Sequence, residues 1–290
     1  MTESSIALLP DRGIVEVEGS DAVEFLQSLL TNDVEQANPT RAVFAGLLTP
    51  QGKVLLDFLI HSPSPDRYWF DCPRGLAADL AKRFTLYKLR AKVTVADRSA
   101  EMAVAVGLGE AGDGEAPSAV AAFADPRHPA MPRRYFLAAA SAALSDGAAA
   151  YHGARIALCV PEGGLDYRYG EVFPHEVCYD VLHGVDFEKG CYVGQEVVSR
   201  MHHRGVAKTR IVGVQASAPL PPMATEITAG DHPVGAMGSS AGDLGIALIR
   251  LDRAEDAVRQ GIPLRAGETT LTLRRPEWAN YDVAIAGASA

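Results

Sequence analysis

Residues 41–61, RAVFAGLLTPQGKVLLDFLIH, contain two β-prone runs joined by a short turn. The runs are Arg41–Leu48 and Lys53–His61, and the residues between them place proline and glycine where a β-turn favours them. This pattern predicts a β-hairpin. Asp57 interrupts the second, apolar run. It either faces solvent through simple strand alternation or needs polar partners inside the protein.

Helices and strands are mixed on both sides of this hairpin. Asp21 is expected to cap a helix whose apolar face runs from Ala22 to Leu30. Leu76–Tyr87 predict a second amphipathic helix. Beyond Val206, short β-prone runs divided by proline and glycine predict an all-β domain of barrel type. The pattern indicates an α+β fold, and 290 residues correspond to about two domains.

The composition excludes several functional classes. The chain has 27 Lys+Arg against 36 Asp+Glu, a net charge of -9, which argues against nonspecific binding to nucleic acid. It contains no apolar stretch of the roughly 20 residues that cross a bilayer, so we expect no membrane partner. A secretion signal begins with basic residues and continues with an apolar run, whereas the first residues here are polar. We therefore expect a cytoplasmic protein.

Residues 173–205, FPHEVCYDVLHGVDFEKGCYVGQEVVSRMHHRG, combine four histidines and two cysteines with several charges. Cys191 lies between two glycines, close to Lys189 and just before a predicted helix from Gln195. A cation and a helix N-terminus both favour a thiolate, so Cys191 is a candidate reactive thiol. The alternative is a buried turn cysteine. The histidine and cysteine spacings do not match structural zinc sites, and we predict no metal site.

The run KGCYVGQEVVSR (Lys189–Arg200) resembles the signature of the YgfZ family. These folate-binding proteins are related to the T-protein, the aminomethyltransferase of the glycine cleavage system. DAVEFLQSLLTNDV (Asp21–Val34) and LLTPQGKVLLDFLI (Leu47–Ile60) resemble the helix and the hairpin of the same family. The resemblance therefore extends over most of the chain.

The resemblance implies a three-domain, cloverleaf-like architecture around a central channel. A folate-binding domain would combine residues 1–48 with 142–205. Residues 49–141 would form a ferredoxin-like domain, and residues 206–290 a C-terminal β-barrel.

The resemblance also implies a tetrahydrofolate-binding accessory factor in the assembly or repair of iron-sulfur clusters, especially four-iron clusters. Cys191 would be the functional thiol. The implied folate contacts are Lys189, Asp57, Asn32, Tyr151, Gln195 and Glu196. Tyr151 could instead simply pack on a helix face. The implied partners are folate and iron-sulfur scaffold or client proteins, without direct contact to nucleic acid.

The alternative function is a folate-dependent aminomethyltransferase, which transfers a one-carbon unit. Two departures bear on this choice. T-proteins carry two adjacent acids where this chain has Leu56 and Asp57, and relatives carry a glutamate near the pterin where this chain has Ala157. The sequence leaves open whether the protein catalyses a reaction.

Overall fold

The computed structural model describes residues 5–108, 119–139, 144–205 and 207–285. It divides into two compact units whose segments alternate along the chain. The first unit is drawn from Met1–Pro50, Leu55–Tyr151 and His183–Gln195, and the second from Gln51–Val54, His152–Leu182 and Glu196–Ala290. Two units agree with the estimate from chain length. The three-domain division around a channel stays a prediction.

The first unit contains two β-sheets and the helices that pack on them. In chain order the elements are β1 (Ser5–Leu8), β2 (Arg12–Glu18), α1 (Ala22–Gln27), β3 (Val43–Leu48), β4 (Val54–Ser64), β5 (Arg67–Pro73), α2 (Ala77–Tyr87), β6 (Thr94–Asp97), β7 (Met102–Leu108), β8 (Ala119–Phe123), β9 (Arg134–Ala138) and the start of α3 (Ala148–Ala157). One sheet has the order β3-β4-β5-β2-β6 and the other β1-β7-β9-β8. The predicted hairpin is confirmed as the neighbouring strands β3 and β4.

Aromatic side chains hold α1 and α2 against the five-stranded sheet. Phe58 and Phe70 lie on adjacent strands with ring centres 5.0 Å apart. Phe84 of α2 meets these two rings edge-on at 6.4 and 5.1 Å. Such pairs add about 0.5–1.5 kcal/mol beyond the burial of apolar area. Phe25 of α1 contacts Phe84 at 6.0 Å, so both helices cover the same face of the sheet.

The opposite face of this sheet packs on the four-stranded sheet through His61. The His61 ring stacks on Phe123 of β8 at 5.1 Å and on Trp69 of β5 at 6.0 Å. Phe136 of β9 meets the same ring edge-on at 6.0 Å. Burial lowers the pKa of His61, against a smaller opposing effect of its hydrogen bond to a backbone carbonyl. At pH 7 the His61 ring is therefore neutral, and it packs between the two sheets as an aromatic side chain.

The first unit also buries a network of charges. Arg12 Nε donates to Asp71 at 2.6 Å, and Arg134 Nη1 lies 3.5 Å from the other oxygen of Asp71. Arg127 donates twice to Asp125, at 2.9 and 2.6 Å. Arg134 Nε lies 3.9 Å from the same aspartate. Each of these five residues is at most 6% exposed. Removing one partner would leave an uncompensated charge inside the protein.

The second unit contains a closed β-barrel. Its elements are the remainder of α3, α4 (Gln195–Arg204, which begins at the boundary), β10 (Thr209–Gln215), β11 (Glu226–Ala229), β12 (His232–Ala241), β13 (Leu244–Arg250), α5 (Leu251–Arg259), β14 (Leu264–Ala266) and β15 (Thr269–Arg274). The strand order is β10-β13-β12-β11-β14-β15. A Cβ on Gly235 would lie 2.2 Å from the carbonyl oxygen of Leu248, so only glycine lets β12 approach β13 there. The predicted barrel is confirmed.

Some local predictions are corrected by the structure. Asp21 does not cap α1 with its side chain. Its Oδ2 instead accepts the backbone N–H of Lys92 at 2.8 Å. Helix α5 interrupts the predicted all-β domain, and it was missed because it is only nine residues long and lies between the β-prone runs. In the described parts of the chain, no helix is long and apolar enough to cross a membrane.

The buried charge network yields a test with a matched control. Asp125→Asn should lower the free energy of unfolding by about 3–5 kcal/mol, because Arg127 and Arg134 would keep buried charges without their partner. Asp79→Asn removes a carboxylate at the same 2.6 Å from an arginine, Arg83, but on the exposed face of α2. That change should cost less than about 1 kcal/mol. Urea denaturation at neutral pH measures both. Equal losses would contradict the structural role of the network.

The same network predicts a pH dependence. Burial raises the pKa of Asp125, but Arg127 and Arg134 outweigh this effect and hold the pKa below its usual range. The stabilisation is therefore complete above the ordinary carboxyl pKa of about 4 and is lost as the pH falls through the lowered value. Wild-type protein and the Asp125→Asn variant should accordingly converge in stability on acidification.

Candidate functional site

Cys191 is the accessible thiol of the chain. All four cysteines lie in the described residues, and only Cys191 is exposed. Burial raises the pKa of Cys72 to about 12 and the pKa values of Cys159 and Cys178 to about 11. Because the thiolate is the nucleophile and the metal ligand, these three are inert at neutral pH. The interpretation of Cys191 as a buried turn cysteine is wrong.

Lys189 attaches residues 183–193, which we call the thiol segment, to the chain at the end of α1. Its Nζ donates to the carbonyl oxygens of Gln27, Leu30 and Asn32 at 3.0, 2.6 and 2.9 Å. These three bonds use the full donor capacity of an ammonium group. Burial lowers the pKa of Lys189 to about 8, against smaller opposing effects of two nearby aspartates. The folate contact predicted for Lys189 remains untested, and it would require the release of a backbone partner.

Thr31 and Asp186 form a second set of bonds between the same segments. Thr31 Oγ1 donates to the carbonyl oxygen of Gly184 at 2.6 Å, and the Thr31 carbonyl accepts the N–H of Asp186 at 3.0 Å. Asp186 Oδ1 then accepts the N–H groups of Glu188 and Lys189 at 2.8 and 3.1 Å. The chain entering Cys191 is thus anchored by its backbone as well as by side chains.

Tyr192 and Val193 fix the chain immediately after the thiol. Tyr192 is buried, and its ring centre lies 5.1 Å from Lys189 Nζ. The Val193 N–H donates to the carbonyl oxygen of Ser28 at 3.2 Å, and the valine side chain packs against the core beneath α1 and α2. Cys191 is therefore exposed on an anchored backbone rather than on a loose loop.

The chain enters α4 through Gly194, whose φ of 83° is a conformation that favours glycine. Gln195 Oε1 accepts the N–H of Tyr192 at 3.4 Å, across the same turn. Glu196 lies on the helix surface and pairs with Arg200 at 3.5 Å. Exposed pairs of this kind contribute only about 0–1 kcal/mol. The predicted folate contacts of Gln195 and Glu196 are not tested by this geometry.

Asn32 connects the thiol segment to a cavity of about 310 Å³ in the first unit. Its Nδ2 donates to the carbonyl oxygens of Phe44 and His183 at 2.8 and 2.6 Å, and its Oδ1 accepts the N–H of Asp33 at 2.9 Å. The cavity is lined by Asn32, Gln36, Thr40, Arg41, Ala42, Val43, Phe44, Ala124, Pro126 and His183. Its volume lies at the small end of the usual range for ligand pockets.

Asp57 and Tyr151 lie inside the first unit and do not line this cavity. Asp57 is 4% exposed, so the solvent-facing alternative is wrong. Tyr151 is fully buried, and its hydroxyl accepts from Arg127 and Arg134 at 2.9 and 2.6 Å. The Arg134 guanidinium also lies 4.4 Å from the centre of the tyrosine ring. A pterin could stack on that face only by displacing Arg134, and both folate contacts stay predictions.

Several residues of the site were missed in the sequence. Arg41, Phe44 and His183 line the cavity, and Thr31 and Asp186 anchor the thiol segment. For Thr31, the available signal was the polar run that directly follows the apolar face of α1. Arg41 and Phe44 were hidden because they lie in a run that indicates only a strand.

The exposure of Cys191 can be tested by alkylation. Native protein treated with excess iodoacetamide at pH 7.5 should be modified at Cys191 and not at Cys72, Cys159 or Cys178, because burial both shields these three thiols and raises their pKa. Peptide mapping by mass spectrometry identifies the sites. Denatured protein should be modified at all four, and native Cys191→Ser should stay unmodified. Prompt native labelling of a second cysteine would contradict the assignment.

Comparisons with known proteins agree with this architecture. The GCVT N-terminal domain family matches residues 11–109, and the CAF17 C-terminal beta-barrel domain family matches residues 208–281. The crystal structure of the glycine cleavage system aminomethyltransferase T from Bartonella henselae superimposes with a TM-score of 0.75, at 15% identity, over 95% of this chain and 86% of that chain. The T-protein-like α+β fold with a C-terminal barrel is therefore confirmed.

Two relatives align with nearly the whole chain. The mitochondrial iron-sulfur cluster assembly factor IBA57 homolog of Mycosarcoma maydis is 32% identical, over 96% of this chain and 85% of the relative. The human mitochondrial iron-sulfur cluster assembly factor IBA57 is 31% identical, over 93% of this chain and 84% of the relative. The cytoplasmic location expected from the composition is wrong by this comparison. Composition cannot separate the cytosol from another reducing aqueous compartment.

The relationship covers both units described above. The two matched domain families follow one another along the chain in the order of the folded units. Identity above 30% also extends over more than nine tenths of the sequence. The chain belongs to the IBA57 family of iron-sulfur cluster assembly factors.

Proposed function

We propose that this protein supports the assembly or repair of iron-sulfur clusters, especially four-iron clusters, with Cys191 as its functional thiol. We further propose that it is of the folate-binding YgfZ type. The observation that carries the proposal is an exposed thiol on a backbone fixed by Lys189, in a chain whose other cysteines are buried. The relatives are iron-sulfur cluster assembly factors, and this relationship supports the proposal.

A fixed, exposed thiol is suited to transfer chemistry between proteins. Anchoring the backbone on both sides of Cys191 reduces the entropy lost when a second protein engages the sulfur. Iron-sulfur clusters usually require four cysteine ligands, and this chain offers one accessible thiol. The remaining ligands must come from a scaffold or client protein. We therefore propose that Cys191 acts in a complex rather than alone.

We propose that tetrahydrofolate binds in the cavity beside Asn32. Arg41 is exposed and offers a guanidinium for the carboxylates of the glutamate tail. Asn32 Oδ1 retains acceptor capacity beside its single bond from Asp33. Bound tetrahydrofolate supplies a carrier for one-carbon units. The residues of this chain would bind and orient the ligand next to the anchored thiol segment.

The aminomethyltransferase alternative receives less support. Leu56 takes the place of one acid of the T-protein pair and is 1% exposed, within the apolar core of the first unit. One buried carboxylate, Asp57, remains at this position of β4. The likeness to aminomethyltransferase T is a likeness of fold at 15% identity.

The role of the thiol predicts a specific loss in cells. In a strain that lacks its own family member, Cys191→Ser should fold normally but should leave the activity of four-iron enzymes near the level of the empty vector. A matched variant, Gly190→Cys/Cys191→Ser, moves the thiol by one residue, and a Cβ at Gly190 meets nothing within 4 Å. It should not restore activity if the anchored position matters. Wild-type activity in Cys191→Ser would sink the proposal.

The folate site predicts a binding pattern. Calorimetric titration of the purified protein with tetrahydrofolate should show micromolar binding that Arg41→Ala weakens by about tenfold, corresponding to about 1.4 kcal/mol. Asp57→Asn tests the predicted contact inside β4. Arg265→Ala, on the barrel surface, is the control and should bind as wild type. The absence of binding heat in the wild type would remove folate from the proposed function.

A further inference from the structure

Three large apolar side chains are exposed together at the end of α2. Leu86 is 62% exposed, Tyr87 41% and Leu89 86%. Across the described residues only five large apolar side chains are exposed to this degree, and these three fall within four consecutive positions. Scattered exposed apolar residues need no explanation, but a cluster marks an interaction site. We call Leu86, Tyr87 and Leu89 the apolar tip.

The apolar tip is held in place by its own turn. Lys88 Nζ donates to the carbonyl oxygen of Val93 at 2.8 Å, and the Ala91 N–H donates to the Lys88 carbonyl at 2.7 Å. Leu89 has a φ of 47°, a left-handed conformation that is unfavourable for a residue other than glycine. The hydrogen bonds of Lys88 with Val93 and Ala91 hold the backbone of Leu89 in this conformation. The leucine side chain is exposed in it. The tip is therefore a built feature rather than a frayed helix end.

Positive charge surrounds the apolar tip, although the chain as a whole is acidic. Residues 81–92, AKRFTLYKLRAK, contain five Lys or Arg and no Asp or Glu, in a protein of net charge -9. Lys82, Arg90 and Lys92 are exposed, and we call them the basic rim. The nearby acids are Asp79, which pairs with Arg83, and Asp21, which accepts the backbone N–H of Lys92. These two carboxylates do not balance the five Lys and Arg of residues 81–92, so the charge here is positive.

The apolar tip belongs to the same layer of the first unit as the thiol segment. Helix α2 ends beside Phe84, whose ring contacts Phe25 of α1. Ser28 follows Phe25 by one turn, and its carbonyl accepts the N–H of Val193, two residues after Cys191. Both features therefore rest on the one face of the five-stranded sheet that α1 and α2 cover.

We propose that the apolar tip and basic rim are the docking surface for an acidic protein partner that is served at Cys191. This inference rests on the proposed function. An apolar centre with a charged rim is the usual anatomy of a protein–protein interface, and tyrosine is enriched among its energetic anchors. Charge complementarity selects an acidic partner surface. The proposed function, in which Cys191 acts in a complex with a scaffold or client protein, favours a protein over a lipid or a nucleic acid as the occupant.

Binding can be measured with a defined probe. A fluorescent amphipathic peptide with leucine on one face and glutamate on the other should bind the wild-type protein, and added salt should weaken this binding. Leu86→Ser/Leu89→Ser and Lys82→Glu/Arg90→Glu/Lys92→Glu should each weaken it by about tenfold or more. Val120→Ser and Arg265→Glu change an exposed apolar and an exposed basic residue elsewhere and should have no effect. Equal binding by the charge-reversed variant would overturn the proposal.

Two further measurements exclude other occupants and separate this inference from the proposed function. Vesicles containing phosphatidylglycerol and duplex DNA should not bind, and rim-dependent binding to either would overturn the choice of a protein partner. In the complementation strain, both surface variants should lower four-iron enzyme activity while Cys191 still alkylates normally. If Cys191→Ser abolishes activity and the surface variants do not, the docking surface is wrong and the thiol role stands. Full activity in Cys191→Ser would instead sink the thiol role.

Discussion

The position of the exposed thiol depends on one partly buried ammonium group. Lys189 Nζ donates hydrogen bonds to the carbonyl oxygens of Gln27, Leu30 and Asn32. These oxygens have no helical partners because α1 ends at Gln27. Bonds to a charged donor stabilise more than neutral ones, and they offset the cost of removing the ammonium from water. Burial of the group lowers its pKa to about 8. Near neutral pH the group is still mostly charged, and the attachment holds.

This arrangement gives Lys189 a positional role beside the one that the sequence predicted. A lysine two residues from a cysteine indicates direct activation of the thiol, and that role stays a prediction. In the structure the three donors of Lys189 bind backbone carbonyls at the end of α1 and just after it. The end of α1 is in turn fixed by Phe25 on Phe84 and by the aromatic core under the sheet. The geometry at Cys191 is therefore set by packing that lies far from it along the chain.

Much of the fold could be predicted from sequence because the β3–β4 hairpin, α2 and the barrel strands carry strong periodic patterns. Helix α5 could not, because it has only nine residues, five of them charged, and it lies between β-prone runs. The network of Arg134, Asp125 and Tyr151 was also hidden, since its members lie on or beside different elements that only folding brings together. The thiol was recognisable from its motif. Its exposure, and the exposure of Leu86 and Leu89, required the structure.

The number of accessible thiols explains why a docking surface matters. Iron-sulfur clusters usually take four cysteine ligands, while three of the four cysteines here are buried with raised pKa values. A single anchored sulfur can assist a cluster only while another protein supplies the remaining ligands, so the lifetime of the complex limits the chemistry. One sulfur contact gives little orientation. A separate apolar anchor with a charged rim would fix the partner's orientation and leave the sulfur free to form and break its bond.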